Sequence, residues 1–240
     1  MKKEVLIIMP AYNEAEGIRR VIAWIREQIP YADILVVNDG SADDTGRLAA
    51  LEGAIVLNLS VNLGIGGAVQ TGYRYAALNG YKYAAQMDGD GQHNPLDFAR
   101  LLEAIKATNA DMVVGSRFVE KQGFQSTLAR RMGIVILAKL LTGLLRRPVT
   151  DPTSGYRLCG PRAIALFAKD YPTDYPEVEA LVLLDNHRLQ FREVPVVMNE
   201  RLAGTSSISS FKSIYYMVKV ILAVLITKSK KRKLRVGYEA

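Results

Sequence analysis

The run YKYAAQMDGDGQH, Tyr81–His93, decides how the chain is read. Its first half is apolar and short, as in a buried strand. Its second half carries two aspartates, Asp88 and Asp90, each followed by glycine. Side chains alternate along an extended segment, so both carboxylates project to one side. Like charges aimed at one point repel, and a cation between them makes the arrangement tolerable. A hard divalent ion such as Mg2+ or Mn2+ prefers oxygen ligands and commonly shares them with a substrate phosphate. Gln92 adds a carbonyl oxygen, and Gly89 and Gly91 let a bulky ligand approach the backbone. An EF-hand-type loop starting at Asp88 needs glycine at its sixth position and an acid at its twelfth. Those positions hold His93 and Ala99, which excludes it. A phosphatase-type pairing, with Asp88 as nucleophile and Asp90 as its acid, finds no support elsewhere in the chain. A lone Asp-x-Asp is also a common polar turn, and the residues by themselves leave that reading open.

Outward from this run, strand and helix patterns alternate. EVLIIMP, DILVVND, AIVLNLS and DMVVGSR join YKYAAQM as strands. Between them, AEGIRRVIAWIREQI places Ile18, Val21, Ile22 and Ile25 at the spacing of an amphipathic helix. SADDTGRLAALEG reads as a helix with Ser41 as its N-cap, and GGAVQTGYRYAALNG as one closed by glycine. NPLDFARLLEAIKAT carries proline in its first turn. Such alternation predicts an α/β fold with a mostly parallel sheet covered on both faces. These sheets bind ligands at the carboxyl ends of their strands. The polar residues gather there: Tyr12, Asn13 and Glu14, then Asn38 and Asp39, then Asn62, then Asp88 and Asp90, then Arg117. In the second half, Leu128–Pro148 reads as a long apolar helix with arginines at both ends. DPTSGYRL and QFREVPVVM read as strands, with helices at Pro161–Lys169 and around EVEALVLLDNHRL between them.

The 240 residues fit one α/β domain or two lobes sharing a core. A single cysteine, Cys159, excludes an intrachain disulfide and points to a cytosol-facing protein. The apolar run in MKKEVLIIMPAYNE is too short for a signal peptide and reads as the first strand. The net charge of +7 is concentrated in the tail: six basic residues lie in Lys228–Arg235. With those and Glu239 set aside, 25 basic residues face 23 acidic ones. Nucleic acid is one partner class for such a run and an anionic membrane surface the other. The preceding Ser213–Thr227 is nearly all apolar, with Lys219 its one charge, and shorter than the ~20 residues of a comfortable span. An apolar helix followed by a polybasic run predicts an interfacial membrane anchor over 213–235 and no nucleic-acid partner. A core helix with a solubilising tail is the alternative.

NLGIGGAVQTGY, Asn62–Tyr73, mimics a dinucleotide fingerprint at Gly64 and Gly66, but Val69 stands at the third glycine position. No Gly-Lys-Ser/Thr follows, so a Walker-type loop is excluded. Backbone amides cradling an anion at a helix start and tight strand-to-helix packing both remain open.

Seven stretches together resemble family 2 glycosyltransferases with a GT-A (Rossmann-like) fold. They are PAYNE (Pro10–Glu14), NDGSADDT (Asn38–Thr45), NLGIGGA (Asn62–Ala68), MDGDGQH (Met87–His93), GSRF (Gly115–Phe118), DPTSGYR (Asp151–Arg157) and EVPVVMNERLAGTSS (Glu193–Ser207). The last two resemble the branch that makes polyprenyl-phosphate hexoses, such as the dolichyl-phosphate mannose synthases. The likeness covers residues 4–210 and implies a nucleotide-sugar half (1–117), an acceptor half (118–210) and a membrane-associating helix and tail (211–240). It implies that Pro10, Tyr12, Glu14, Val37 and Asp39 cradle base and ribose. Asp88, with Gly89, would face the sugar and ribose. Asp90 and Gln92 would ligate Mg2+ or Mn2+, and Arg201 would close over the diphosphate. Arg117, Arg130 and Arg131 would hold the acceptor lipid's phosphate. His93 would support the turn rather than ligate. Asp88, Asp90 and Arg201 would be the catalytic set.

Three departures accompany the likeness: Asn38 for the usual aspartate, no lysine in Gly204–Ser207, and YPEVEAL (Tyr175–Leu181) in place of Gln-x-Glu. They set a UDP-sugar narrowly ahead of GDP-mannose. The implied reaction is metal-dependent, inverting transfer of a hexose to a polyprenyl phosphate, by a peripheral protein at the cytoplasmic membrane face. A homo-oligomer is compatible with this. The alternatives are a transferase extending a cell-surface polysaccharide on an alcohol acceptor, with Glu179 or Asp151 as base, and a non-catalytic membrane-recruiting subunit. A nucleotidyltransferase is a further alternative, but that class carries a basic glycine-rich loop after its first strand, where this chain has PAYNEAEG.

Overall fold

A computed structural model of the chain describes residues 4–120, 128–199 and 213–230. The five expected strands form: β1 (Val5–Ala11), β2 (Ala32–Asn38), β3 (Ile55–Asn58), β4 (Tyr83–Gln86) and β5 (Met112–Ser116). With β6 (Arg157–Cys159) and β7 (Phe191–Pro195) they make one seven-stranded sheet, ordered β3-β2-β1-β4-β6-β5-β7. β1 pairs in parallel with β2 on one side and β4 on the other, so the chain reverses its winding there. That reversal opens a crevice at the carboxyl ends of β1 and β4.

Alternate residues of β1 enter different cores. Leu6 and Ile8 pack beneath α3 (Gly64–Leu78), α6 (Pro161–Lys169) and α7 (Pro176–Asn186). Val5, Ile7 and Met9 pack beneath α1 (Ile18–Gln28), α2 (Thr45–Leu51) and α4 (Phe98–Thr108). Ile18, Val21, Ile22 and Ile25 are all buried, as their spacing predicts. A 3-10 turn at Pro95–Asp97 leads into α4; the Asn94 side chain accepts from the Leu96 amide at 3.1 Å and caps the start.

Two local expectations are corrected. Ser41 does not cap α2: its hydroxyl accepts from the Asn13 amide at 3.0 Å, and Asp43 accepts from the Thr45 amide instead. DPTSGYRL is a strand only over its last residues, and β6 runs antiparallel to both β4 and β5. Asp151–Tyr156 form a loop, nearly all of it buried, whose side chains do the hydrogen bonding that a ladder would do. Ser154 Oγ donates to the Gly115 carbonyl and accepts from the Tyr156 amide.

Outside α7 lie α5 (Leu128–Leu145) and α8 (Ser213–Ser229). Each is apolar on two sides. α8 buries Val220, Val224 and Thr227 and exposes Val218, Leu222, Leu225 and Ile226. α5 buries Leu137, Leu141 and Leu145 and exposes Met132, Val135 and Ile136. The C-terminal end of α8 is latched to α7 by polar contacts. Thr227 Oγ1 donates to Glu179 Oε2 at 2.7 Å, Asn186 Nδ2 donates to the Thr227 carbonyl at 2.7 Å, and Lys228 Nζ meets Asp185 Oδ2 at 2.5 Å. The helix is therefore packed on one face, as the core-helix alternative has it, and leaves its other face exposed. Among the described residues no helix is long and apolar enough to cross a membrane.

The glycine-rich segment opens α3, and one of its glycines is explained by packing. A Cβ on Gly66 would lie 2.5 Å from the Pro172 carbonyl oxygen and 2.6 Å from Thr173 backbone atoms. Backbone cannot yield as a side-chain tip can. Gly66→Ala is expected to destabilise the protein by about 1–3 kcal/mol, read as a shift in the urea midpoint; an unchanged midpoint would show that the approach is not tight.

Candidate active site

Three loops at the carboxyl edge of β1, β2 and β3 are tied into one surface. Asn13 adopts a left-handed conformation (φ 55°), which asparagine tolerates better than most residues. Its Oδ1 accepts from the Ala42 amide at 2.9 Å. The Glu14 amide donates to Thr45 Oγ1 at 2.8 Å and the Ala15 amide to Asp43 Oδ2 at 3.1 Å. The first loop is thus zipped to the second along its length. Pro10 and Val37 are cross-strand partners beneath it. Val37 is fully buried and shapes the floor, whereas Tyr12 is half exposed and presents its ring at the rim. Asp39 is nearly buried, and its Oδ1 accepts from the Leu63 amide at 2.7 Å, fastening the third loop.

Asn38 has a local cause. Its Nδ2 donates to Asn58 Oδ1 at 2.8 Å, and its Oδ1 accepts from the Ser41 amide. An aspartate could not donate to Asn58. Gly46 packs directly on this pair, where a Cβ would lie 2.7 Å from both amide atoms.

The turn after β4 lies beside the first loop, with Gly89 facing Ile18, Glu14 and Met9. Gly91 takes φ +77°, and Asp90 Oδ1 accepts from the Gln92 amide at 3.0 Å. Asp88 is held from several sides. Gln86 Nε2 donates to its Oδ1 at 3.2 Å, and its own amide donates to His93 Nδ1 at 3.0 Å. An accepting Nδ1 puts the neutral ring's proton on Nε2, which stands 3.7 Å from Asp88 Oδ2. His93 is buried and stacked on Tyr156, with ring centroids 5.0 Å apart. The chain beyond β7 straps this turn: Asn199 donates to the Gln92 carbonyl and Val197 to Asp97 Oδ2.

Arg117, at the end of β5, is closed in an ion pair. Its Nε and Nη2 meet Asp151 Oδ2 and Oδ1, both at 2.7 Å, and Nη2 also donates to Thr153 Oγ1. Asp151 is fully buried. Glu193 of β7 holds the same loop from behind, accepting from the amides of Thr150 and Asp151 and from the Thr150 hydroxyl. Burial pushes the Glu193 carboxyl above the usual carboxylate range, against donors that favour its charged form. Arg131 lies on α5 and is half-buried. The Arg130 side chain, Arg201 and Gly204–Ser207 lie outside the described residues.

The family model for Glycosyl transferase family 2 matches residues 6–164. The chain belongs to glycosyl transferase family 2. It is similar to the undecaprenyl-phosphate mannosyltransferase of Micrococcus luteus, 34% identical, over 85% of this chain and 87% of that one. It is also similar to a UDP-N-acetylglucosamine–dolichyl-phosphate N-acetylglucosaminyltransferase of Methanococcus voltae, 29% identical, over 90% and 95%. Its fold matches Mycobacterium tuberculosis glucosyl-3-phosphoglycerate synthase, crystallised with Mn2+, UDP and glucosyl-3-phosphoglycerate. That match has a TM-score of 0.67 at 20% identity and covers 96% of this chain and 81% of that chain.

The protein is therefore a glycosyltransferase with a GT-A fold. A divalent ion shared between a protein and a substrate diphosphate needs few protein ligands. The donor set here fits that sharing: a carboxylate at Asp90 and an amide oxygen at Gln92 on one glycine turn, and no group of three or more acidic, histidine or cysteine ligands among the described residues. Two contributors escaped the sequence reading. Gln86 sits two places before Asp88 on the same strand face, a period-two signal present in YAAQMD. Arg157 interrupts an apolar strand, yet is fully buried.

The Arg117–Asp151 pair generates a direct test. Asp151→Asn leaves a mostly buried guanidinium without its counter-charge, which is expected to cost about 3–5 kcal/mol in urea unfolding. A cost below about 1 kcal/mol would mean that the pair is solvated.

Proposed function

We propose that this glycosyltransferase moves a hexose from a nucleoside diphosphate sugar to a polyprenyl phosphate, with inversion, at a membrane surface. The observation that carries this reading is the state of the carboxylates that an alcohol acceptor would need. An alcohol requires a base in reach. Asp151 is fully buried with both oxygens on Arg117, and Glu179 accepts from Thr227 under α8. A phosphate acceptor requires no base, because at neutral pH it is already largely a dianion. The two relatives are named for transfer to undecaprenyl and dolichyl phosphate, which supports the same acceptor class.

On this reading Asp90 and Gln92 hold Mg2+ or Mn2+, which would neutralise charge building on the leaving diphosphate. Asp88, fixed by Gln86 and His93, faces the donor's sugar. Tyr12, Glu14 and Asp39 frame the nucleotide, with Pro10 and Val37 as the floor and Gly89 giving the sugar room. Arg201 would close over the diphosphate. Arg130 and Arg131 would hold the acceptor phosphate. Arg117 reaches it only by sharing a fork already given to Asp151, so its main part is to set the Asp151 loop. Asn38 has a structural partner in Asn58, so it weighs less on the donor than the other two departures. A UDP-sugar stays ahead of GDP-mannose on Tyr175–Leu181 and the missing lysine at Gly204–Ser207.

Purified protein, undecaprenyl phosphate, Mg2+ or Mn2+ and a panel of UDP-, GDP- and dTDP-sugars test this. Metal-dependent formation of a β-linked lipid phosphate sugar is expected, reduced at least about a hundredfold in Asp90→Ala and retained in Glu179→Gln. An α-linked product would rule out single inversion. Absence of lipid product with nucleotide binding intact would favour an alcohol acceptor.

The exposed apolar residues of α5 and α8, with Lys139, Lys219 and the basic run Lys228–Arg235, suit an anionic bilayer at the cytoplasmic face. Leu222→Glu with Ile226→Glu, both exposed positions, is expected to release the protein from phosphatidylglycerol vesicles in a sedimentation assay without lowering its melting temperature. Undiminished sedimentation would place the contact elsewhere.

A further inference from the structure

Beneath Asp88 lie two buried polar groups with unfinished hydrogen bonding. Gln86 is 1% exposed and Arg157 0%. Gln86 Oε1 and Arg157 Nη1 have no hydrogen-bond partner. The two residues are direct partners in the antiparallel β4–β6 pairing, so their side chains leave the same face of the sheet side by side. One orphan is an acceptor and the other a donor.

The remaining atoms of each are committed. Arg157 Nε donates to the Ser154 carbonyl at 2.8 Å and Nη2 to the Glu177 carbonyl. The guanidinium thus ties the Asp151–Tyr156 loop and the first turn of α7 to the sheet. No carboxylate among the described residues lies within ion-pair distance of it, and Asp88 and Glu177 are the acids near the cluster. Gln86 Nε2 is on Asp88 Oδ1. Turning the Gln86 amide over would set oxygen against the Asp88 carboxylate and N–H groups against the guanidinium. In a buried site both contacts are strongly unfavourable. The Asp88 contact and the neighbouring charge of Arg157 therefore favour the same orientation of the amide. Space for the cluster comes from Gly155, where a Cβ would lie 3.0 Å from Gln86 Nε2 and 3.4 Å from Asp88 Oδ2.

We propose that Arg157 and Gln86 are a positioning relay for Asp88, completed by one ordered water that accepts from Arg157 Nη1 and donates to Gln86 Oε1. The relay holds the Asp88 carboxylate at a fixed angle to the donor's sugar. It deepens the function proposed above and rests on the reading that Asp88 faces that sugar. Neither residue touches the donor; both act through the Asp88 carboxylate.

Two variants separate positioning from packing. Gln86→Met keeps the length and loses the donor. Gln86→Glu satisfies Arg157 with a buried ion pair but sets a second negative charge against Asp88. A merely structural role predicts that Gln86→Glu is harmless. The relay predicts that its melting temperature holds or rises while sugar recognition falls. Calorimetric titration with Mn2+ compares UDP and GDP with UDP-glucose and GDP-mannose. Both variants are expected to bind the nucleoside diphosphates within about twofold of wild type and to weaken the accepted nucleotide sugar by about tenfold or more. Gln86→Glu with undiminished nucleotide-sugar affinity overturns the relay. So does Gln86→Met weakening diphosphate and nucleotide sugar equally. If wild type binds none of these nucleotide sugars, the donor reading falls, and a water-resolving crystal structure of the free protein decides the relay on its own. Density bridging Oε1 and Nη1 supports it; an amide turned with Nε2 toward Arg157 refutes it.

Discussion

A strand of three residues, running against both its neighbours, sets the character of this sheet's ligand-binding edge. Were β6 parallel to β4 and β5, the loop before it would emerge at the opposite edge. Because it is antiparallel, Asp151–Tyr156 enter from the side where the parallel strands end. One short pairing thereby brings Arg157 beside Gln86, places Tyr156 under His93, and delivers Asp151 to Arg117. The turn after β4 and the Asp151–Tyr156 loop share a wall because of it.

The wall has to balance charge out of water. Asp88 and Asp90 stand at one end of it and Asp151 and Glu193 at the other, and buried carboxylates persist only with donors or cations around them. The two ends solve this differently. Asp151 has a contact ion pair, and Glu193 is ringed by amides and a hydroxyl. Asp88 has an amide, a neutral histidine and a guanidinium one residue removed, which leaves its outer surface open to a ligand. The metal and sugar roles proposed for this turn would gain from that openness; an inert structural pair would not.

Much of this was legible in the sequence, because alternation of strand and helix and the clustering of polar residues at strand ends are local signals. Ile18–Ile25 of α1, the Pro161 start of α6 and the Asp88–Gln92 turn emerge where periodicity and turn chemistry place them. What escaped is long-range. Ser41 resembles an N-cap in its own neighbourhood, yet serves Asn13, 28 residues away. Nothing local to Arg117 signals its partner Asp151, 34 residues on. The direction of β6 has no local signature, since three residues pair equally well either way. Asn38 shows the same lesson inversely: read singly it is a departure from a motif, while read with Asn58 it is half of an amide pair. Positions 38 and 58 are expected to change together, and neither ranks nucleotides alone.

The latch between α7 and α8 has a consequence for orientation. Glu179, Asn186 and Asp185 grip Thr227 and Lys228, while Val220 and Val224 are sunk in the core. The helix is therefore not a tether that lets the domain tumble but a fixed fin. Any surface that engages its open face inherits a set height and tilt relative to the sheet. The catalytic edge would then address that surface at one angle, as a tool clamped in a jig.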